Sequence, residues 1–377
     1  MTAHSRMRVL QVHSDLQWGG VEQWLLHTVR YIDRQMFQLD FFAASLNSVW
    51  ESTIASLSLT LIRSPRPRSL WRYTLCLREA LRTRNYDAVH CHFIDHSGLV
   101  LREAALAGVP VRIAHSHIDV APLLRRAPVW TRAYFSVQNR LLHRYATRGL
   151  AASREAARSM FGPEWEDDPR WGVLHCGIDL AMFSADVDRA AVRSEFGFAP
   201  EHLVFGHLGR FTDQKNHEFL VQVAGQLAAD LPSARFLWIG EGPLERSIRQ
   251  QVEAAGLSAR VAFAGTRSDA ARLMRGMDAF LFPSRYEGLG LALVEAQAAG
   301  LRCFVADVVP AESSVVPGLV TRMPLSAGAP HWASVVRNKM AGRIPVARQD
   351  AVDAVRRSVF NIEHSVRALE ELYHEYA

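Results

Sequence analysis

Cysteine is scarce in this chain of 377 residues. Only Cys76, Cys91, Cys176 and Cys303 occur, and none forms a C-x-x-C pair. That scatter excludes a disulfide framework and a zinc ribbon, and predicts reduced, packed thiols. Long apolar runs are missing as well, with nothing near the ~18–20 residues that a spanning helix requires. The opening "MTAHSRMRVLQVHSD" has no signal-peptide apolar core and flows straight into a strand pattern, so a cytoplasmic protein is expected. No RNP, helix-turn-helix or zinc-finger pattern appears, so nucleic acid is not an expected partner. No G-x-G-x-x-G follows the first strand pattern, which counts against a dinucleotide oxidoreductase.

What is present describes an ordinary globular chain, 49% apolar and 21% charged. Its length exceeds what one core usually supports, so two domains are expected. The net charge of +5 is uneven. Residues 1–180 carry 22 arginines, no lysine and 16 acids, a balance of +6, whereas residues 181–377 come to −1. The arginines gather in 62–84 and 125–148. Such stripes are more often solvated helix faces than footprints for phosphates, and among the latter Trp71 and Trp130 point to a membrane surface.

Strand and helix patterns alternate almost throughout, which predicts parallel sheets covered on both faces. In the first half, "MRVLQVHS", "QLDFFAAS", "LTLIRS", "YDAVHCHF", "VRIAHSH", "GLAAS" and "GVLHCGI" read as strands. After a charged connector near 180–200 a second series begins, with "LVFGHLGRF", "RFLWIGEG", "VAFAG", "AFLFPS" and "RCFVAD". The fold class expected is α/β, two Rossmann-like doubly wound domains with a ligand cleft at the carboxyl ends of their strands. The borders are drawn as 1–183, 184–358 and a C-terminal helix, 359–377, packing back towards the first domain.

The segment "PSRYEGLGLALVEAQAAG" (283–300) sets Glu287 and Glu295 among small and apolar residues. Burying carboxylates there is costly unless each meets a partner. A helix is expected to begin near Gly290, where free amides suit a diphosphate. Eight residues of helix span about 12 Å, comparable to a nucleotide sugar from ribose to hexose. Carboxylates grip vicinal diols strongly, so a sugar–diphosphate–ribose ligand fits. Among the histidines, His90/His92 and His115/His117 have H-x-H spacing, which suits metal chemistry on paper. No carboxylate or cysteine in the pattern completes such a site, and none is expected.

Together these segments resemble the retaining glycosyltransferases of family 4, which have the GT-B fold. "EGLGLALVEAQAAG" is similar to the family's E-x7-E motif, and "GHLGRFTDQKNHEFLVQVA" to its G-R-x4-K loop. "LWIGEGPLERSI", "VAFAGTRSD" and the Gly-Gly-x-E loop in "SDLQWGGVEQWLLH" follow the family pattern in order. "RIAHSH" and "FNIEHSVRALEELY" look like bacterial capsule and exopolysaccharide transferases. One loop departs from the family: "VADVVPAESSVV" has Pro310 and Glu312 but no Gly pair.

The resemblance implies hexosyl transfer from a UDP- or GDP-sugar to a lipid-linked saccharide, with retention and without a metal or other cofactor. It implies that Arg210 and Lys215 hold the diphosphate, that Glu287 contacts the transferred sugar, and that Glu295 holds the ribose. Gly288, Leu289 and Gly290 would offer backbone amides, and Gly265, Thr266 and Arg267 would form the base-reading loop. Gly19, Gly20, Gly209 and Gly242 would let backbone approach the donor. A histidine at the end of the "RIAHS" strand is implied near the sugar, His115 or, one register step on, His117. Front-face displacement is the favoured mechanism, and a peripheral footing of the arginine-rich domain on the anionic inner leaflet is expected. A nucleotide-sugar 2-epimerase and a non-catalytic sugar-nucleotide-binding scaffold are the alternatives.

Overall fold

The structure is a computed structural model that describes residues 6–66, 69–184, 186–343 and 346–375. Two compact units divide the chain, Met1–Gly177 with Ile362–Ala377, and Ile178–Asn361. The borders expected at 183 and 358 therefore move to 177 and 361. The reason is a local zipper: Ile178 N–H donates to the Phe360 carbonyl at 2.8 Å, and Ile178 bridges Asn361 in parallel. Arg348 Nη2 then reaches the Phe183 carbonyl at 2.6 Å, so residues 178–183 pack with the second unit.

The strands of the first unit are β1 (Met7–Val12), β2 (Asp15–Leu16), β3 (Phe37–Ala43), β4 (Ser45–Leu46), β5 (Thr60–Arg63), β6 (Ala88–Cys91), β7 (Val111–Ser116), β8 (Arg148–Ala151) and β9 (Trp171–Val173). Seven form one parallel sheet in the order β5-β3-β1-β6-β7-β8-β9, with β2 and β4 paired separately. The central strands are buried along nearly their whole length, which is why they read as continuous apolar runs rather than alternating ones. The terminal helix Ile362–His374 belongs to this unit. Trp24 Nε1 donates to Ser365 Oγ at 2.9 Å, and Ser365 Oγ donates to the His175 carbonyl at 2.8 Å, pinning that helix in place.

The second unit contains β10 (Leu203–Leu208), β11 (Ala234–Ile239), β12 (Val261–Gly265), β13 (Ala279–Phe282), β14 (Arg302–Ala306) and β15 (Val320–Met323). They form a parallel sheet ordered β12-β11-β10-β13-β14-β15. Both sheets reverse strand order at a central pair, β1/β6 and β10/β13. Ligands of open parallel sheets bind at the carboxyl ends of the strands beside such a switch. Gly206 on β10 explains one close contact at this point: a Cβ there would lie 1.9 Å from Met277 Sδ.

Candidate active site

In the second unit, the carboxyl ends of β10 and β13 meet the start of the helix Leu291–Ala298. Gly290 is its N-cap at φ +91, in the left-handed region that glycine enters without a Cβ penalty. Glu287 lies just before this helix and is only 6% exposed. Its carboxylate accepts from Lys215 Nζ at 2.6 Å and from Gln214 Nε2 at 3.1 Å. Lys215 also lies over the Phe282 ring, 4.8 Å from its centroid. A cation–π contact of this kind adds to the pairing of the ammonium. The glutamate and the lysine, 72 residues apart in sequence, thus form one largely buried charge pair.

Glu295 differs. Its carboxyl is pushed up to about 7 by desolvation, partly offset by the Lys215 charge. No hydrogen bond or ion pair to its side chain is found among the described residues, although solvent still reaches part of it. A carboxyl in an apolar setting without a protein donor is a candidate contact for a ligand hydroxyl. Arg210 is exposed on the loop after β10.

The glycines around this pair have packing reasons of their own. A Cβ on Gly209 would sit 3.0 Å from the Lys215 methylenes. On Gly242 it would meet the Phe211 carbonyl oxygen at 2.5 Å, and Phe211 N–H donates to the Glu241 carbonyl at 3.0 Å. Gly242 therefore serves a backbone crossing between the two loops. Gly265 has φ +67, and the following Thr266 N–H donates to Glu241 Oε1 at 3.2 Å. The Arg267 guanidinium is committed elsewhere, paired with Asp269 and with Glu195, both at 2.7 Å. Gly288 and Leu289 lie in the turn before the helix, with Leu289 buried.

The first unit holds a second constellation at the carboxyl ends of β1, β6 and β7. Gln11 and His90 are register partners on β1 and β6. His115 lies on β7, 1% exposed, and His117 just after it. His90 Nε2 and His115 Nδ1 are 3.1 Å apart, and His92 Nδ1 and His117 Nε2 are 2.9 Å apart. Tyr373 of the terminal helix approaches His90 Nδ1 at 2.8 Å and accepts from Gln11 Nε2 at 2.9 Å. Gln11 Oε1 in turn lies 2.8 Å from His92 Nε2. Burial holds His115 far below the usual histidine range, at about 3, so this imidazole is neutral at ordinary pH. Gly19 caps the helix Gly20–Tyr31, and a Cβ there would strike Glu22 Oε2 at 2.3 Å. Gly20 opens that helix.

One neighbour of these histidines was not visible in the sequence pattern. A cysteine does approach the histidines: Cys176 Sγ lies 3.6 Å from His117 Nδ1. Fifty-nine residues separate the two, and only the placing of the loop after β9 beside β7 joins them. Sequence reasoning also missed Gln214, Gln11 and Tyr373. Gln214 had a signal, since it lies inside the G-R-x4-K loop; the other two had none.

Comparison with known proteins decides the family. Residues 188–322 match the model described as "Glycosyl transferases group 1", and residues 18–182 match "Glycosyltransferase Family 4". EpsF of Bacillus subtilis (strain 168), whose name assigns it to the glycosyltransferases, is 32% identical over 98% of this chain and 97% of its own length.

The chain belongs to glycosyltransferase family 4.

A second relative of this family 4 enzyme is the UDP-Gal:alpha-D-GlcNAc-diphosphoundecaprenol alpha-1,3-galactosyltransferase of Escherichia coli, 23% identical over 81% of each chain. Among solved structures, Anabaena HepE in complex with UDP and glucose superposes with a TM-score of 0.80. It covers 98% of this chain and 100% of HepE at 18% identity. WaaG, a glycosyltransferase involved in lipopolysaccharide biosynthesis, gives 0.78 at 16% identity over 98% of this chain and 99% of its own. These likenesses fix the fold of the family 4 enzyme as GT-B. Among its described residues, no helix is long and apolar enough to cross a membrane.

Proposed function

We propose that this glycosyltransferase moves a hexosyl unit from a nucleotide sugar to a lipid-linked saccharide, with retention at the anomeric carbon, in cell-surface polysaccharide synthesis. The observation that carries the donor half is the pair of unlike carboxylates around one lysine. Glu287 is engaged by Lys215, while Glu295, eight positions on, is desolvated and has no protein donor among the described residues. In this reading Lys215 and the exposed Arg210 meet the diphosphate and offset the charge that grows on it as the glycosidic bond breaks. Glu287 accepts from hydroxyls of the transferred sugar, and Glu295 accepts from the ribose. The amides of Gly288, Leu289 and Gly290 face the phosphates at the helix start. Backbone of Gly265, Thr266 and Arg267 lies along the base; the Arg267 side chain takes no part, being held by Asp269 and Glu195. The neutral His115, or His117 beside it, serves the sugar side. The named complexes of HepE with UDP and glucose support a UDP-sugar donor.

The acceptor half rests on the arginines of the first unit. Several are spent within the fold: Arg78 pairs with Glu103 at 2.5 Å, and Arg63 lies 3.7 Å from Glu51. Arg125, Arg132 and Arg140 are not; among the described residues no carboxylate or hydrogen-bond acceptor meets their side chains. They line an open recess of about 700 Å³ together with Leu124 and Phe135. Beside it Val129 is 77% and Trp130 75% exposed. Unpaired cations next to apolar side chains suit a diphosphate-bearing lipid at an anionic surface. The diphosphoundecaprenol acceptor in the name of the Escherichia coli relative has that chemistry.

Two measurements test this function. With donor sugar and no acceptor, the wild-type enzyme slowly releases nucleoside diphosphate and Lys215→Ala does not; equal release from both removes Lys215 from the mechanism. In vesicle sedimentation, an Arg125/Arg132/Arg140→Gln triple variant loses about 1 kcal/mol per charge, roughly a hundredfold in partitioning to anionic lipid. No preference of the wild type for anionic over neutral vesicles refutes the membrane footing.

A further inference from the structure

The buried polar chain of the first unit ends on two groups with unused capacity. His90 and His92 have both ring nitrogens engaged. His115 Nδ1 is taken by His90; among the described residues its buried Nε2 meets no hydrogen-bond partner at bonding distance, although the Leu174 backbone also interacts with the ring. At the other end, the hydrogen-bonding contact of His117 Nδ1 among the described residues is the Cys176 thiol at 3.6 Å. Leaving a nitrogen of a fully buried ring without a close partner costs free energy.

We propose that His115, His117 and Cys176 form a binding site for a thiophilic divalent d-block cation, with Zn²⁺ as its reference member. The ligands are His115 Nε2, His117 Nδ1 and the Cys176 thiolate. Ligand atoms of these three residues lie within 4.8 Å of one another. Bonds of roughly 2.0–2.3 Å to a tetrahedral centre separate ligands by somewhat less than that, so small side-chain rotations complete the geometry. The two rings already sit with centroids 4.0 Å apart. Two imidazoles and a thiolate select zinc-like metals over magnesium or calcium.

The surroundings supply what such a site needs beyond its ligands. Ligating histidines are normally held through their second nitrogen. Here His90 holds Nδ1 of His115, and His92 holds Nε2 of His117, with Gln11 and Tyr373 holding those two in turn. Binding replaces the thiol proton, which is released to solvent, so uptake of one cation frees one proton. Three protein ligands leave a fourth position for water or another donor atom. The site does not depend on the transferase reading. Its consequence does: if His115 serves the sugar side, a bound cation occupies that nitrogen and inhibits transfer.

The test uses the full-length, metal-stripped enzyme and Co²⁺ and Zn²⁺ salts alone. One equivalent of Co²⁺ should bind with a thiolate-to-metal charge-transfer band and the intense visible bands of tetrahedral cobalt, and Zn²⁺ should bleach both. Cys176→Ser should lose the charge-transfer band, while Cys303→Ser, altered in the second unit, should keep it. Absence of a thiolate band in the wild type overturns the proposal without recourse to a variant, as does a band that survives in Cys176→Ser. Loss of transfer activity on adding Zn²⁺ bears on the placing of His115; Zn²⁺ binding with undiminished activity refutes that placing and leaves the site intact.

Discussion

Replacing Lys215 by methionine keeps the aliphatic stem and removes the ammonium that lies 2.6 Å from Glu287 Oε1. Glu287 is buried and Lys215 mostly so, with side chains 6% and 16% exposed. Removing one member of a buried ion pair strands the other charge, at a cost of ~3–5 kcal/mol. Gln214 still donates to Glu287 at 3.1 Å, which offsets part of this, so the expected loss is ~2–3 kcal/mol. In a unit of this size that lowers Tm by roughly 4–12 °C. Glu287→Gln should cost less, because a neutral amide oxygen still accepts from the ammonium. The double variant should recover part of the sum, with a coupling of ~1–2 kcal/mol. A two-unit chain need not unfold in one step, so the readout is hydrogen exchange of amides in β13 and in the helix Leu291–Ala298. A coupling below ~0.5 kcal/mol, the scale of exposed pairs, would refute the buried-pair argument and with it the proposed role of Glu287 as a pre-set hydrogen-bond acceptor for the transferred sugar.

Glu295 makes the proposed donor site pH-dependent. Its carboxyl is raised from an ordinary 4.5 to about 7, so the fold holds a proton that the unfolded chain has released. Stability contributed by that proton is present below about 4.5 and is lost as pH climbs through about 7; Glu295→Gln should flatten the loss. Nucleotide-sugar binding should tighten over the same window in the wild type and not in the variant, as titration calorimetry between acid and alkaline buffer would show. Gly242→Ala places a methyl 2.5 Å from the Phe211 carbonyl oxygen and should cost ~1–3 kcal/mol by overpacking, seen as a lower urea midpoint; an unchanged midpoint contradicts the loop crossing. Tyr373→Phe removes the hydroxyl that joins Gln11 to His90 and should destabilise the first unit by ~1–3 kcal/mol. Exchange in β1 and β6 should rise while β10 and β13 stay protected.

Much of the architecture is local and therefore legible. Strands such as "VRIAHSH" and "AFLFPS" are short apolar runs bounded by breakers, and helices such as 217–230 carry their apolar residues at helical spacing. The elements that escaped are those whose local cues conflict with their state. The edge strand β15 follows Pro317 and Gly318 and is only partly buried, so it reads as loop. The helix Gly328–Met340 opens on Gly-Ala-Pro, a turn signal. In the site, the E-x7-E spacing and the G-R-x4-K loop were visible, but their meeting was not, nor was the fact that Arg267 is spent on a local ion network.

Sequence alone determined the alternation of strands and helices, two parallel sheets and the identity of the residues around Gly290, because periodicity and turn chemistry act over a few residues. Tertiary structure decided which groups touch: Lys215 with Glu287, Cys176 with His117, and Tyr373 with His90 across 283 positions. Those pairings depend on strand order and register, which no local run of residues encodes. It also decided that of two glutamates in one motif, one is neutralised by a cation and the other is left desolvated, a difference of surroundings and not of residue type.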